Sequence, residues 1–317
     1  MYACRTRGKQ TEVDRLPLGF KPENDGCDAT ATVRSPSTRA RARGWGIPGP
    51  DQQSDAVPLE NSGGFRVLME AETVINLRGR TALVTGGTQS IGRAISVALA
   101  SSGADLVVHG LQADQLGRET VELCSAKGVQ VSLIEGDLAG NTDQCVDNVY
   151  EKAIAANPKI DILVNNAGCC FDLHFLDTDL ASYEKTMRLN VAAPFFLSQR
   201  FAKSWLQQGI GGKLVITGSL TGRLAEPLQA ASDVSKGGVE MMVKTLCVEL
   251  APRGIRVNGL APGLFRTPLT EPALQDERLA QWMRQHTPNG QVPLPDAAGD
   301  AAVFLLSDAA SHIHGQM

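Results

Sequence analysis

The stretch TALVTGGTQSIGRAISVALASSG, from Thr81 to Gly103, decides the fold. It begins with a short aliphatic run, turns at two glycines, and continues with apolar residues at helical spacing. A glycine turn between a strand and a helix lets the backbone approach a phosphate, towards which the helix directs free N–H groups. The pattern predicts the first unit of a dinucleotide-binding domain, but a glycine turn in an α/β protein without a cofactor would have the same pattern.

Five further aliphatic runs follow this unit, with amphipathic stretches between them. They are ADLVVHG (104–110), VQVSLIEGD (129–137), IDILVNNAG (160–168), GKLVITGS (212–219) and GIRVNGLAPG (254–263). Near-continuous aliphatic strands that alternate with helices are typical of a parallel sheet covered on both faces. The sequence therefore predicts an α/β fold, a doubly wound parallel sheet of Rossmann type, in a single domain over residues 73–317.

Residues 1–72 have a different composition, rich in Arg, Pro, Gly and Ser and poor in aliphatic residues. Such a segment buries too little apolar surface to offset the entropy of ordering, and we interpret it as a disordered N-terminal extension. Its acidic residues argue against a transit peptide. Met69 stands just before the regular part, so a mis-assigned start codon would explain the extension equally well.

Composition and charge exclude several classes of function. The net charge of −4 does not indicate a nucleic-acid partner, and no run approaches the roughly 18 apolar residues of a membrane span. Seven cysteines without a CxxC pair indicate reduced thiols in a cytoplasmic protein, and no metal site is expected.

The chain resembles the short-chain dehydrogenase/reductase family, and within it the 3-ketoacyl-carrier-protein reductases, over about residues 77–317. The family pattern Thr-Gly-x-x-x-Gly-x-Gly is matched at Thr85, Gly86 and Gly92, but Ser90 stands at the middle glycine. Further motifs are GDL, NNAG, RLNV and APGLFRT. The resemblance implies that the following residues contact a cofactor: Thr85, Gly86, Ser90, Ile91, Gly92, Asp137, Leu138, Asn165, Ala167, Gly168, Lys236, Pro262, Gly263 and Thr267.

The resemblance also implies the catalytic residues. Ser219 aligns with the serine that binds the substrate oxygen, Asn190 with an asparagine that anchors a water, and Lys236 with the lysine that holds the nicotinamide ribose. The family's catalytic tyrosine lies four residues before this lysine and thirteen after the serine. Both offsets lead to Ser232, so the fourth catalytic position holds serine instead of tyrosine.

The loss of the phenol leaves two functions open. A serine hydroxyl is a far weaker acid than a phenol and is too short to reach the same substrate oxygen, so a water would have to relay protons from Ser232 or Lys236. General acid–base catalysis contributes about 10²–10⁴-fold, and residual turnover by an unorthodox oxidoreductase is one interpretation. The other is an inactive dinucleotide-binding pseudoenzyme that acts as a sensor, scaffold or oligomer partner.

The cofactor and substrate are less defined. The second strand ends in Gly110-Leu111-Gln112, with neither the carboxylate that favours NAD nor the arginine that favours NADP. The missing carboxylate favours NADP slightly. A lid over about residues 264–295 would enclose a small-molecule carbonyl or alcohol substrate. The family's last strand is expected to be missing, because the chain ends at Met317, and a homo-oligomer remains open.

Overall fold

A parallel sheet of six strands organises the computed structural model, which describes residues 75–268 and 270–317. The strands stand in the order β3-β2-β1-β4-β5-β6, and every neighbouring pair is parallel. Their bounds are β1 Thr81–Val84, β2 Asp105–Gly110, β3 Val131–Glu135, β4 Ile162–Asn165, β5 Lys213–Thr217 and β6 Arg256–Leu260. The doubly wound Rossmann fold predicted from the sequence is confirmed.

Helices cover both faces of this sheet. They are α1 Ser90–Ser101, α2 Gln115–Ser125, α3 Thr142–Ala156, α4 Leu180–Met187, α5 Ala193–Gln208, α6 Ala230–Leu250, α7 Glu271–Gln275, α8 Glu277–Gln285 and α9 Asp296–Leu306. Alternate strand residues face opposite layers, so that Leu83 packs with α3, α5 and α6 while Ala82 and Val84 pack with α1 and α9. Burial on both faces explains why the strands read as continuous aliphatic runs.

The strand order places the site. β1 lies between β2 and β4. The chain runs from β1 to β2, towards one edge of the sheet, and from β4 to β5, towards the other edge. Ligands of open α/β sheets bind outside the carboxyl ends of the strands at such a reversal. The glycine turn after β1 and the NNAG segment after β4 are therefore brought side by side.

The free edge of β6 is partly covered by the last residues of the chain. The backbone N–H of Gly315 donates to the oxygen of Val257 (2.8 Å), and the N–H of Gly259 donates to the oxygen of Gln316 (2.7 Å). The sulfur of Met317 lies against Gly218 and Gly259, where an added Cβ would come within 3.3 and 2.3 Å of it. Only six strands are assigned in the described residues, yet residues 315–317 extend the hydrogen-bonding of β6.

The predicted extension at 1–72, with its alternative start at Met69, lies outside the described residues. The segment proposed as a lid contains α7 and α8, with Phe265 packed against the α1 layer and Trp282 stacked on His286 at 4.2 Å. Among the described helices, none combines the length and apolar character needed to cross a membrane.

Candidate cofactor site and active site

The turn after β1 is fastened to the segment after β4. The hydroxyl of Thr85 accepts hydrogen bonds from the backbone N–H groups of Asn166 (3.0 Å) and Ala167 (3.1 Å). The Asn166 side chain donates in return to the backbone oxygens of Thr85 and Gly86, both at 3.2 Å. This reciprocal pairing is buried, so the turn has a fixed shape before any ligand arrives.

Glycine is required at Gly92 because two backbone segments meet there. An added Cβ would lie 1.9 Å from the oxygen of Gly86 and 2.6 Å from the amide nitrogen of Asn166. The first turn of α1 therefore packs closely against the turn after β1 and the segment after β4. The N-cap residue of α1, Gln89, makes no side-chain cap, and no acidic residue stands in the first turn. The first N–H groups of α1 therefore remain suited to an anion such as pyrophosphate.

Ser90 departs from the glycine pattern in a way that the backbone makes explicit. Its φ is +52°, in the left-handed region that glycine occupies without cost. A non-glycine residue loses roughly 1–2 kcal/mol there. The turn thus keeps the conformation that glycine would give it and carries the strain of a Cβ.

His109 holds the turn from the β2 side, a role that no motif in the sequence indicates. Its Nδ1 accepts from the N–H of Gly86 (3.2 Å), so its Nε2 carries the proton and donates to the oxygen of Gly136 (3.0 Å). Burial lowers the pKa of His109 to about 4, which keeps the ring neutral. A buried histidine at the carboxyl end of a strand is a weak signal, because most such residues have only packing roles.

An apolar cavity lies beside this histidine. Its volume is about 290 Å³, and its walls include Leu111, Leu138, Ala139 and Ala167 with Asp137 at the rim. Asp137 is fixed by accepting a hydrogen bond from the N–H of Ala139 (2.8 Å). The size and lining suit a flat heteroaromatic ring. Two of its wall residues, His109 and Ala167, are hydrogen-bonded to Gly86 and Thr85 of the turn after β1, which suits the phosphates attached to such a ring.

Lys236 is the buried cation at the other end of the site. It lies on α6 and is 4% exposed, and its ammonium donates to the backbone oxygen of Thr217 at the end of β5 (2.9 Å). Burial lowers its pKa to about 8, because the low-dielectric interior disfavours the charged form. An added Cβ on Gly168 would lie 3.7 Å from this nitrogen, so the NNAG segment passes close beside it.

Asn190 joins the same segment to α6. It lies in a π-helical turn, Arg188–Ala192, between α4 and α5. Its side chain accepts from the N–H of Cys169 (2.8 Å) and donates to the oxygen of Cys169 and the hydroxyl of Ser235, both at 2.9 Å. π-turns of this kind are frequent at functional sites, and here the turn directs a buried amide across to the neighbouring helix.

Ser219 stands just after β5 and Ser232 on α6, and the turn that follows Ser219 passes against α6, where a Cβ on Gly222 would lie 2.9 Å from the backbone oxygen of Lys236. The hydroxyl of Ser219 accepts from the N–H and the hydroxyl of Thr221, both at 3.2 Å. Among the described residues it acts only as an acceptor, which leaves its own proton for a further oxygen. Ser232 is 6% exposed and lies one helical turn before Lys236, on the same face of α6.

The described tyrosines lie away from this arrangement. Tyr150 on α3 makes an edge contact with Phe201 (5.0 Å between ring centroids), and Tyr183 on α4 is 40% exposed. Neither is recorded in contact with Ser219 or Lys236, so neither of these two described tyrosines takes the place of a phenol at position 232.

Cys170 follows NNAG-Cys169 and is partly buried. Its sulfur lies 3.9 Å from a carboxylate oxygen of Asp172. Burial raises the pKa of the Cys170 thiol to about 11, because the low-dielectric interior disfavours the thiolate. No group of three or more His, Cys, Asp or Glu side chains suited to a metal occurs in the described residues.

The remaining site residues predicted from the sequence lie in the loop after β6, in the core and in the lid. The backbone oxygen of Pro262 accepts from Leu220 (3.1 Å), which brings the loop with Gly263 beside Ser219. The side chain of Asn165 donates to Ser198 on α5 (3.0 Å) and is occupied in the core. Ile91 packs in the α1 layer, and Thr267 is bound within the lid to Thr270.

Comparison with known proteins identifies the class. A family described as enoyl-(acyl carrier protein) reductase matches residues 86–317. The galactitol 2-dehydrogenase (L-tagatose-forming) of Cereibacter sphaeroides is 35% identical over 78% of this chain and 95% of the relative. The 3-oxoacyl-[acyl-carrier-protein] reductase of Aquifex aeolicus is 31% identical over 77% of this chain and 96% of the relative.

A solved structure shows the same likeness. A protein of Beutenbergia cavernae, assigned as an NAD(P)-dependent gluconate 5-dehydrogenase with NADP bound at low occupancy, superposes with a TM-score of 0.71. It is 33% identical, and the match covers 76% of this chain and 95% of that one. The chain therefore belongs to the short-chain dehydrogenase/reductase family, as the resemblance in its motifs predicted.

Proposed function

We propose that the protein is an NAD(P)-dependent oxidoreductase that interconverts a small carbonyl compound and its alcohol without a catalytic tyrosine. The observation that carries this proposal is the buried Lys236, whose ammonium stands beside NNAG and one helical turn from Ser232. A buried cation with a pKa of about 8 is costly, and structural packing alone gives no reason to retain it.

The cofactor end fits a dinucleotide. Gly92 leaves no room for a Cβ, the α1 N-terminus is uncapped, and the 290 Å³ cavity is lined by apolar side chains. Thr85, Gly86, Ser90 and Gly92 would hold the pyrophosphate, with Asp137 and Leu138 at the ring. The other residues inferred from the resemblance would line the nicotinamide half, apart from Asn165, whose side chain is bound to Ser198 in the core: Ala167, Gly168, Lys236, Pro262, Gly263 and Thr267.

Each polar residue of the chemical end has a part in the proposed reaction. When bound, the nicotinamide supplies or accepts the hydride. Ser219 would direct its free proton at the substrate oxygen, and Lys236 would bind the ribose hydroxyls and stabilise negative charge on that oxygen. Asn190 would hold the backbone of Cys169 and the water nearest to it. Ser232 occupies the position of the acid and would act only through a neighbouring group.

NADP is the favoured dinucleotide. A second cavity of about 550 Å³ lies beyond Leu111 and is lined by Lys152, Glu135 and Asp114. Lys152 donates to the backbone oxygen of Glu135 (2.8 Å) and can turn towards a 2′-phosphate, whereas the Glu135 carboxylate accepts from Ala113 (3.1 Å) and would oppose one. We expect K152Q to lower the NADPH-to-NADH affinity ratio about tenfold and E135Q to raise it, as measured by cofactor fluorescence.

The second candidate is a pseudoenzyme that binds the dinucleotide without turnover, and the serine at 232 favours it. The deciding experiment compares wild type with S232Y for NADPH and NADH oxidation against ketones, diketones, sugars and acyl thioesters. Turnover by the wild type supports the oxidoreductase. Binding without detectable turnover in the wild type, with turnover appearing in S232Y, supports the pseudoenzyme, because only the acid was missing. Absence of cofactor binding in both would overturn both candidates.

A further inference from the structure

Charged side chains cross the amino ends of four neighbouring strands, at the end of the sheet opposite to the cofactor and active sites. They are Arg80 before β1, Asp161 before β4, and Lys213 and Arg256, the first residues of β5 and β6. We call these four residues the charged row. Lys213 and Arg256 are partners in the register of β5 and β6, so two buried cations stand side by side and repel each other.

Two carboxylates compensate part of this positive charge. Asp161 is buried and lies 2.9 Å from the guanidinium of Arg80. Asp308, in the turn that follows α9, lies 2.6 Å from the ammonium of Lys213 and 3.8 Å from Arg80. Its side chain is 70% exposed, so one water-facing carboxylate serves two cations. With Arg256, three cations face two carboxylates, which leaves one positive charge in excess.

Arg256 is held by the end of α9 and not by a carboxylate. Its guanidinium donates to the backbone oxygens of Leu305 (2.8 Å), Ser307 (2.8 Å) and Ala310 (3.0 Å). Carbonyls at a helix end carry only a partial negative charge, so they fix the guanidinium without cancelling its charge. The positive charge beside Lys213 is therefore fixed in position by the backbone.

A cavity of about 330 Å³ opens at the charged row. Its walls include Arg80, Lys213, Arg256 and Asp308, and its volume is in the range of pockets that bind small molecules. In the described residues, Lys213 uses one of its three N–H groups, for Asp308, so two remain for a ligand. Burial lowers the pKa of Lys213, and the charges of Arg80 and Arg256 add to that effect while Asp308 opposes it. A second anion beside Lys213 would stabilise its charged form.

His314 lines the same cavity with a ring nitrogen that is not used within the chain. Its Nε2 donates to the backbone oxygen of Ser311 (3.1 Å), whereas its Nδ1 is buried and has no hydrogen-bond partner in the described residues. Buried polar atoms are nearly always paired, so this nitrogen indicates a point where a ligand would be bound. A hydrogenphosphate suits both forms of the ring. Its bare oxygens accept from a charged imidazole, and its P–OH donates to a neutral one.

We propose that this cavity binds a phosphate group, carried by inorganic phosphate or by a small phosphate monoester, between Lys213 and Arg80. The exposed carboxylate of Asp308 turns towards solvent when the phosphate binds. A phosphate group carries about two negative charges and three acceptor oxygens, so it interacts more strongly with the charged row than a single carboxylate does. The site is separate from the cofactor site, and the inference does not depend on the proposed oxidoreductase function.

The first test titrates inorganic phosphate into the full chain at fixed ionic strength, followed by calorimetry. The wild type should bind phosphate saturably. K213Q should weaken binding at least about tenfold, because a charge-assisted hydrogen bond is lost. D308N should strengthen binding about tenfold, because the competing carboxylate becomes neutral. The control is K203Q, at an exposed position of α5, which should bind as the wild type does.

The opposite directions of the two effects protect the test against a simple folding defect, since damage to the fold would weaken binding in both variants. Absence of saturable binding in the wild type would overturn the inference. Equal affinities of the wild type, K213Q and D308N would also overturn it, because the phosphate would then bind elsewhere.

Hydrogen exchange locates the bound phosphate, because the glycine turn after β1 also suits phosphates. Phosphate should slow amide exchange in peptides that contain residues 308–314 in the wild type, and not in K213Q. Slowing confined to the turn after β1 would place the phosphate in the cofactor site and overturn the inference. NADPH fluorescence on the same samples tests the proposed function separately, since the charged row should bind phosphate whether or not NADPH binds.

Glycerol 3-phosphate distinguishes the two sources of the phosphate group. Tighter binding of this monoester than of inorganic phosphate, lost in K213Q, would identify a phosphorylated metabolite as the ligand, and equal or weaker binding would identify the free ion. Acetate has a single carboxylate and should bind at least about tenfold more weakly than phosphate. Acetate binding as tight as that of phosphate would overturn the assignment of a phosphate group.

Discussion

The two ends of the candidate site differ in how closely their residues are packed and hydrogen-bonded. The cofactor end is the glycine turn after β1 with its neighbours, and the chemical end contains Ser219, Ser232 and Lys236. At the cofactor end, Thr85, Asn166 and His109 fix the turn through reciprocal buried hydrogen bonds, and Gly92 leaves no room for a methyl group. At the chemical end, Lys236 donates to one backbone oxygen, and the position one helical turn before it holds the small side chain of Ser232. The difference predicts that dinucleotide binding and proton transfer can be changed independently of each other.

The largest expected effect comes from G92A, a substitution in the cofactor end. G92A places a methyl group 1.9 Å from the oxygen of Gly86. Because that neighbour is backbone, we expect a loss of stability at or above the roughly 3 kcal/mol upper end usual for overpacking, with loss of NADPH binding. G238A is the control, because its Cβ would meet nothing closer than 3.9 Å. Urea unfolding and cofactor fluorescence measure both, and normal binding by G92A would contradict the packing argument.

The next effect depends on pH. The pKa of His109 is about 4 in the folded protein, against 6.5 for a histidine free in solution, so the unfolded chain binds the extra proton first. Stability is full above pH 6.5 and should fall by up to about 3 kcal/mol as pH drops towards 4. H109Q should lose this part of the pH dependence, whereas H312Q at an exposed position should keep it. Urea midpoints at pH 7 and pH 5 provide the measurement.

The third prediction concerns N190A, a substitution that should affect the chemical end alone. N190A leaves the buried N–H and oxygen of Cys169 without their partner, at a cost of roughly 2 kcal/mol of stability. Because Asn190 makes no contact with the β1 turn, NADPH affinity should change less than about twofold, within the spread of distant substitutions. N289A, at an exposed loop position, is the control. An affinity loss in N190A as large as that in G92A would show that the two ends are not separable.

The smallest expected effect concerns the backbone strain at Ser90, in the cofactor end. S90G removes a Cβ from a residue with φ +52°, and we expect a gain of about 0.5–1 kcal/mol after the entropy of glycine is counted. S101G, at a helical position of the same α1, should lose a similar amount. The denaturation midpoints of the two variants should therefore move in opposite directions. Movement in the same direction would contradict the interpretation that Ser90 is strained.

The spacing of apolar residues and the glycines of the turns predicted the strands, their helices and the place of the glycine turn, because those signals are local in the sequence. The spacing from Ser219 to Lys236 also placed Ser232 on the inner face of α6. His109 could not be found in this way. Its partners, Gly86 and Gly136, are 23 and 27 positions away in the chain and meet it only through the folded sheet. The pairing of residues 315–317 with β6 was missed for the same reason.

Met317 makes the edge of the sheet sensitive to oxidants. Its sulfur fills the space above Gly259, where even a Cβ would come within 2.3 Å of it. A sulfoxide oxygen would have to enter that closed space and would make the side chain polar. Oxidation would then lift residues 315–317 away and expose the N–H and C=O groups of β6, an open template for a strand from another molecule. The Met317 thioether therefore links the redox state of one side chain to the covering of this sheet edge.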